Sequence, residues 1–278
     1  MRQHLLPLAL GVVLIGTGGA LPLSPRVAAA RTAADAAGAS VAAAAVATPP
    51  VLGQPLAPTP VATTATATGA RNDLVDDALS ALRSRVGRLS HPEALRYAFQ
   101  AYYNYRAAHP GQVRKPYLYF VDYGLSSSTP RGYVFNMATL KVVDGPFTVA
   151  HGRGSSGGSG VPTRFSNASG SGASSLGLYL AQETYAFSGH SAGRLYHSIG
   201  MRLRGLDDRY NDRARARGVV VHGAPYVTAS RAGRSQGCPA MEQARARRLI
   251  PMLSNGSLVF LFSPRDAGFL RQAEWVNG

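Results

Sequence analysis

The sequence predicts a mainly β protein with added helices, built as a β-sandwich or partly open barrel. Three observations predict it. Short apolar or alternating runs, bounded by Gly, Ser, Asn and Pro, recur from Tyr117 onward. Two helical patterns precede them. The composition of the 278-residue chain changes abruptly at Arg71, and the roughly 200 residues beyond it are enough to bury one full core.

Arg2 and His4 head an apolar run from Leu5 to Leu21, and Ala28-Ala29-Ala30 offers a small-x-small cleavage site. Residues 1–30 are therefore expected to be an export signal, sending the mature chain to the periplasm or cell envelope. The run is short for about 30 Å of hydrocarbon, so membrane contact is expected only through an uncleaved signal. Residues 31–70 are almost entirely Ala, Thr, Val, Pro and Gly, with little to bury. They read as a disordered tether.

In "NDLVDDALSALRSRV", Leu74, Ala78, Leu82 and Val86 recur four apart and form one helix face. Ser90-His91-Pro92-Glu93 predicts the start of a second helix, with Ser90 as cap and Glu93 closing a capping box. Leu95, Phe99, Tyr102 and Tyr103 make its buried face, and His109-Pro110-Gly111 ends it. Residues 71–112 are thus a helical segment packed on a β-rich domain over 113–278. In that domain "YLYFVDY", "RGYVFNM", "PFTVAHG", "LGLYLAQ", "MRLRGL", "GVVVHGA" and "SLVFLFS" are the expected strands, interrupted by one helix from about Pro239 to Pro251. Trp275 is expected to be a packing anchor.

The formal charge is +15, almost all of it arginine, since Lys115 and Lys141 are the only lysines. Such a charge fits nucleic acid. The chain has no zinc-finger spacing, RNP-type aromatic motif or basic helix run, so no nucleic acid partner is expected. An anionic cell envelope suits an exported chain better.

Cys238 is the only cysteine. One thiol closes no intramolecular disulfide, and a leftover thiol in an exported chain is prone to oxidation, so its retention points to use. A buried apolar cysteine is the alternative. Val219-Val220-Val221 reads as a buried strand that delivers His222 to its end, where Gly223 is expected to turn the chain sharply. Pro239 fits the first position of a helix, which places Cys238 at the N-cap. That location lowers the thiol below its ordinary value of about 8.5. Gly237, with Gln236 and Ser235, forms a loop whose backbone N–H groups can face a developing oxyanion, and the Ser235 hydroxyl orders it. Nucleophile, base and oxyanion donors then come from one strand–loop–helix unit. Zinc shared by Cys238, His222 and His151 is the competing reading, while His190 and His197 match no compact zinc spacing.

His222 precedes Cys238 by sixteen positions (222 to 238). That order and spacing resemble the L,D-transpeptidase (YkuD-like) catalytic domain, whose signature is His-Gly, a loop, then Ser/Thr-x-Gly-Cys. The likeness is closest to a murein L,D-transpeptidase subgroup that ends Arg-Ser-x-Gly-Cys-Pro-Ala, here Arg234 to Ala240. Matching stretches at 149–153, 165–167, 174–179, 183–185, 203–206 and 211–224 extend it over about residues 113–263. There are departures. Gln236 stands where the commonest family ending has histidine, and Pro239-Ala240 where it has an apolar-Asn pair. Residues 186–199 look longer than usual and are expected to be a loop that serves as a lid.

The resemblance implies a two-step acyl transfer on peptidoglycan stem peptides. Cys238 would attack the diaminopimelate carbonyl of a tetrapeptide stem, release D-alanine and form a thioester. An amine of a second stem would resolve it as a 3→3 crosslink. His222 would shuttle the protons, oriented by a backbone carbonyl. Apart from the resemblance, His151 in "AHGRG" is expected to line the cleft, with a surface-loop histidine as the alternative. Arg153 and Arg234 are expected to hold stem-peptide carboxylates, with solvated arginines as the alternative. No metal or organic cofactor is implied, and carbapenems are expected to acylate the thiol. With water in place of the amine, the same thioester makes an L,D-carboxypeptidase or endopeptidase. A fold kept without turnover makes a wall-binding protein.

Overall fold

Two helices lead into the sheet in the computed structural model, which describes residues 62–272. The expected signal, residues 31–61 of the expected tether, and Trp275 lie outside the described residues. Helix α1 spans Ala62–Leu82, so the tether expected to reach residue 70 gives way to helix at Ala62. Residues 62–70 hold four alanines but also four threonines and Gly69, so the extension continues a helix already nucleated downstream and is not driven by local propensity. Its buried face is Val75, Ala78 and Leu82, while Leu74 is 46% exposed. The apolar stripe therefore starts one residue later than the four-residue spacing predicts.

Helix α2 spans Ala94–Ala108 and buries Leu95, Phe99, Tyr102 and Tyr103 as expected. The capping box does not form. The Ser90 hydroxyl and N–H both go to the buried Asp122 carboxylate, at 2.5 and 2.7 Å. A buried carboxylate costs more to leave unpaired than an exposed helix end, so Asp122 takes the serine.

Ten strands follow: β1 Tyr117–Asp122, β2 Gly132–Asn136, β3 Lys141–Phe147, β4 His151–Gly152, β5 Gly177–Ser191, β6 Arg194–Gly205, β7 Val220–Ala224, β8 Arg234–Ser235, β9 Ala240–Glu242 and β10 Leu258–Phe262. Helix α3, Gln243–Leu253, precedes β10, and α4, Ala267–Gln272, follows it. Eight strands form one open mixed sheet in the order β3-β2-β1-β10-β5-β6-β7-β9, and β4 pairs with β8 in a small second sheet. The β1/β10, β7/β9 and β4/β8 pairs are parallel. The chain is therefore mainly β with added helices, open rather than closed into a barrel.

Central strands β1 and β10 are buried along almost their whole length, which is why they read as continuous apolar runs. Phe120 stacks on Phe260, and α2 sets Phe99 edge-on to Phe135 with ring centroids 5.6 Å apart. Ala246, Leu249, Ile250 and Leu253 form the buried face of α3, which packs on β6 and β7.

Two elements near the sheet edge differ from expectation. The predicted 186–199 loop is the distal half of a long β5/β6 hairpin, paired from Tyr179↔Gly205 out to Ser191↔Arg194. Its turn holds Ala192 and Gly193 at φ 50° and 76°, the geometry of a two-residue hairpin turn. The helix predicted from Pro239 starts instead at Gln243, because Ala240–Glu242 pair with His222–Ala224 as an edge strand. Ala240 and Met241 are fully buried there, and burial in the sheet overrides the local helix signal.

Candidate active site

The β7/β9 pair brings histidine and cysteine together. His222 lies opposite Ala240, and its N–H donates to the Pro239 carbonyl at 3.4 Å. Cys238, immediately before Pro239, then lies at the mouth of a cleft of about 310 Å³ that His222 also lines. Phe187, Tyr196 and Tyr226 supply aromatic walls, and Arg234 and Gln236 complete the polar side. Cys238, Gly218 and Gln236 also border a second cleft of about 220 Å³, with Gly170, Gly172 and Arg217. The sulfur thus stands where two clefts meet.

His222 is 2% exposed and its ring stacks on Phe187 at 4.1 Å between centroids. Nδ1 lies 3.0 Å from the Gly223 carbonyl. A carbonyl only accepts, so Nδ1 carries the proton of the neutral ring and Nε2 presents a lone pair. Burial disfavours the imidazolium and lowers its pKa to about 4, against a smaller opposing effect of the Gly223 carbonyl. At neutral pH the ring is neutral, hydrogen-bonded to backbone through Nδ1 and stacked on Phe187.

Gly223 does not turn the chain as expected, since it sits inside β7. A Cβ there would lie 2.5 Å from Ser198 Oγ and 2.8 Å from Ala246 Cβ. The glycine is required for close packing against α3 and β6.

The thiol differs from the sequence expectation as well. With α3 starting at Gln243 and Glu242 at its N-cap, Cys238 does not cap that helix. Burial raises its pKa, an effect opposed in part by the Val220 N–H and the Arg217 cation. Sγ lies 3.9 Å from the Gly218 carbonyl. The thiol and the imidazole that line this cleft are thus both held toward their neutral forms.

Ser235, Gln236 and Gly237 form the loop before the cysteine. Ser235 Oγ donates to the Cys238 carbonyl at 2.6 Å and accepts the Gly237 N–H at 3.2 Å. That second bond uses the N–H expected to face an oxyanion. Among the described residues the Cys238 N–H donates to none, which makes it the donor available for that purpose. Gln236 is exposed and borders both clefts. Gly237 adopts φ +123° and packs against Ala173, whose carbonyl would lie 2.8 Å from an added Cβ.

The remaining candidates separate. Arg234 is half-buried and lines the larger cleft, where Nε donates to Ser156 Oγ at 2.7 Å and Nη1 to Ser127 Oγ at 2.9 Å. Arg153 is exposed on a 3-10 turn and borders neither cleft. His151 is fully buried and cannot line a cleft. Its Nδ1 accepts from the buried Arg131 guanidinium at 2.9 Å, which assigns the ring proton to Nε2. Burial and the Arg131 charge lower its pKa to about 3. The contact ties β4, which His151 begins, to Arg131, the residue before β2.

Sequence reasoning missed Phe187, Tyr196 and Tyr226 as walls and Arg217 beside the thiol. Phe187 and Tyr196 fall in the segment read as a loop, and strand pairing alone turns them toward His222. Arg217 lies within "NDRARARGVVVHGA" among several arginines that local sequence does not distinguish.

A family model described as the L,D-transpeptidase catalytic domain matches residues 88–262. Solved structures of similar chains include an L,D-transpeptidase from Mycobacterium smegmatis, 16% identical over 53% of this chain and 58% of that one, with a TM-score of 0.31. An L,D-transpeptidase from Mycobacterium tuberculosis H37Rv is 14% identical over 53% and 57%, with a TM-score of 0.30. Another from Stackebrandtia nassauensis is 16% identical over 62% and 69%, with a TM-score of 0.30. The chain therefore spans about 58% of the length of the first of these. No curated protein matches. The family model covers well over half of the sequence, and the chain belongs to the L,D-transpeptidase catalytic-domain family.

Proposed function

We propose that this chain is a cysteine-dependent L,D-transpeptidase that joins peptidoglycan stem peptides by 3→3 crosslinks. The observation that carries the reading is the His222 ring, tied through Nδ1 to the Gly223 carbonyl and lining one cleft with Cys238. A tetrapeptide stem enters with its diaminopimelate carbonyl over Sγ. As sulfur attacks, the thiol proton passes to His222 Nε2 and the carbonyl oxygen becomes an oxyanion facing the Cys238 N–H. Collapse breaks the C–N bond, and the leaving D-alanine takes the proton from His222. The thioester remains on Cys238.

An amine of a second stem then attacks the thioester, gives a proton to His222 and expels the thiol, which regains it. Two clefts meeting at one sulfur supply separate approaches for donor and acceptor stems, which favours the amine over water as acceptor. Arg234 on the larger cleft is the candidate to hold a stem carboxylate. The wall substrate fits an exported protein. Residues 1–30 then act as a cleaved signal, and N-terminal sequencing of the mature protein should start near Arg31; recovery of Met1 would overturn the cleavage.

Intact-mass spectrometry tests the thioester. Protein mixed with a disaccharide-tetrapeptide and no acceptor should gain the substrate mass less D-alanine, on Cys238 alone. An adduct that survives Cys238→Ala, or none on the wild type, would refute the nucleophile.

A further inference from the structure

The 174–179 stretch, part of the family resemblance, has no role in the mechanism so far. Its first residue sits under the loop that carries the nucleophile. Ser174 is fully buried. Its Oγ accepts the Gly152 N–H at 3.0 Å and donates to the Gly237 carbonyl at 2.9 Å. Its own N–H donates to Ser155 Oγ at 2.9 Å. The hydroxyl proton goes to the carbonyl of the residue before Cys238, while the Tyr123 hydroxyl, also within reach of Ser174, donates to the Ala150 carbonyl at 3.2 Å.

That carbonyl belongs to the peptide unit whose other end is the Cys238 N–H. In a planar trans peptide the C=O and N–H point in opposite directions. Holding the Gly237 oxygen toward buried Ser174 therefore turns the Cys238 N–H away from the interior, where Cys238 borders the clefts. Nothing else described grips that plane as directly. Gly237 itself is at φ +123° with no side chain to restrain it, and its own N–H is used by Ser235.

The support beneath Ser174 is built. Gly152 and Gly237 pack back to back, since a Cβ on Gly152 would lie 2.7 Å from Gly237 Cα and 2.3 Å from the Gly172 carbonyl. Arg217 holds the same segment, donating to Ser171 Oγ at 3.2 Å and to the Ala173 carbonyl at 2.8 Å. Ser174 couples this clamped segment to the nucleophile loop.

We infer that Ser174 is a positioning residue for the oxyanion donor, aiming the Cys238 N–H through its hydrogen bond to the Gly237 carbonyl. The inference rests on the acyl-transfer reading above. It separates two kinds of reaction at one sulfur. Acylation passes through a tetrahedral oxyanion and needs the aimed N–H. Alkylation by iodoacetamide is a displacement at carbon in which the S–C bond forms as iodide leaves, and it generates no oxyanion.

The test compares the rates of Cys238 acylation by a carbapenem and alkylation by iodoacetamide, both read by intact mass across pH. A misaimed donor should slow acylation by about 10- to 100-fold in Ser174→Ala, while alkylation and its pH profile stay within about twofold. The pair Ser174→Thr and Ser174→Val shares one shape and differs in the hydroxyl, so it serves if the alanine variant unfolds. Thr should acylate at least about tenfold faster than Val. Equal acylation in wild type and Ser174→Ala, or in Thr and Val, overturns the inference. So does a parallel fall of both reactions, which marks a structural loss. A wild type that is alkylated but never acylated refutes the acyl-transfer reading itself, and the inference falls with it.

Discussion

Removing the Phe187 ring should make His222 a stronger base. Phe187 covers one face of the imidazole at 4.1 Å, and burial is the leading cause that lowers the His222 pKa from 6.5 to about 4. That difference corresponds to about 3 kcal/mol between the two protonation states. Phe187→Ala lets water reach one face of the ring and should recover a good part of it, lifting the pKa to about 5 or above. The consequence for stability has a definite sign. An unfolded histidine takes up its proton near 6.5, while folded His222 stays neutral to about 4, so acid favours the unfolded chain through that window. Between pH 7 and pH 4 this linkage costs the wild type about 3 kcal/mol and the variant only about 2. Titration of the His222 Cε1 proton by NMR, with urea unfolding at both pH values, measures the two quantities. A variant whose His222 still titrates near 4 would refute the claim that the hairpin wall sets the basicity of this ring.

Further outcomes follow from the same geometry. Alkylation of Cys238 should keep accelerating above pH 9 instead of levelling off below 8, because burial raises the thiol pKa; a plateau near 7, measured by mass spectrometry, would contradict this. Gly223→Ala should destabilise the fold by about 1–3 kcal/mol through overpacking against Ala246 and Ser198, as read by urea unfolding. Fully buried Arg131 donates to the Val149 and Leu125 carbonyls and to His151. Arg131→Met leaves those acceptors unpaired and should cost about 3–5 kcal/mol in thermal or chemical unfolding; a loss under 1 kcal/mol would show the network to be dispensable.

Central strands were legible because they are buried on both faces, so β1 and β10 appear as unbroken apolar runs that no helix period mimics. The helix face of α2 was legible for a similar reason, as Leu95, Phe99 and Tyr102 repeat at helical spacing. Edge elements were not. Ala240–Glu242 carry a helix-start signal in Pro239, and only the open edge of β7 makes them a strand. The outer hairpin reads as a Gly/Ser loop because its sheltered face is only half-buried and carries Gly189, Ser191 and Ser198 beside Phe187 and Tyr196, so the alternation shows weakly in residue type. At the site, His222 and Cys238 stood out from residue type, order and spacing; the resemblance implied a backbone carbonyl beside the histidine, but not that it belongs to Gly223. The thiol environment did not, since it depends on where α3 begins. His151 looked like a cleft residue from its glycine neighbours, but the Arg131 that buries it comes from twenty positions earlier (131 to 151).

The central claim is that Cys238 and His222 make 3→3 crosslinks. Incubating the purified protein with tetrapeptide-rich sacculi and separating the muropeptides tests it most directly. Wild type should produce 3→3 dimers and free D-alanine; Cys238→Ala should produce none, and His222→Ala should be slower by about 10²-fold or more. Dimers that persist without Cys238 would contradict the mechanism, and disaccharide-tripeptide monomers alone would make the protein a hydrolase.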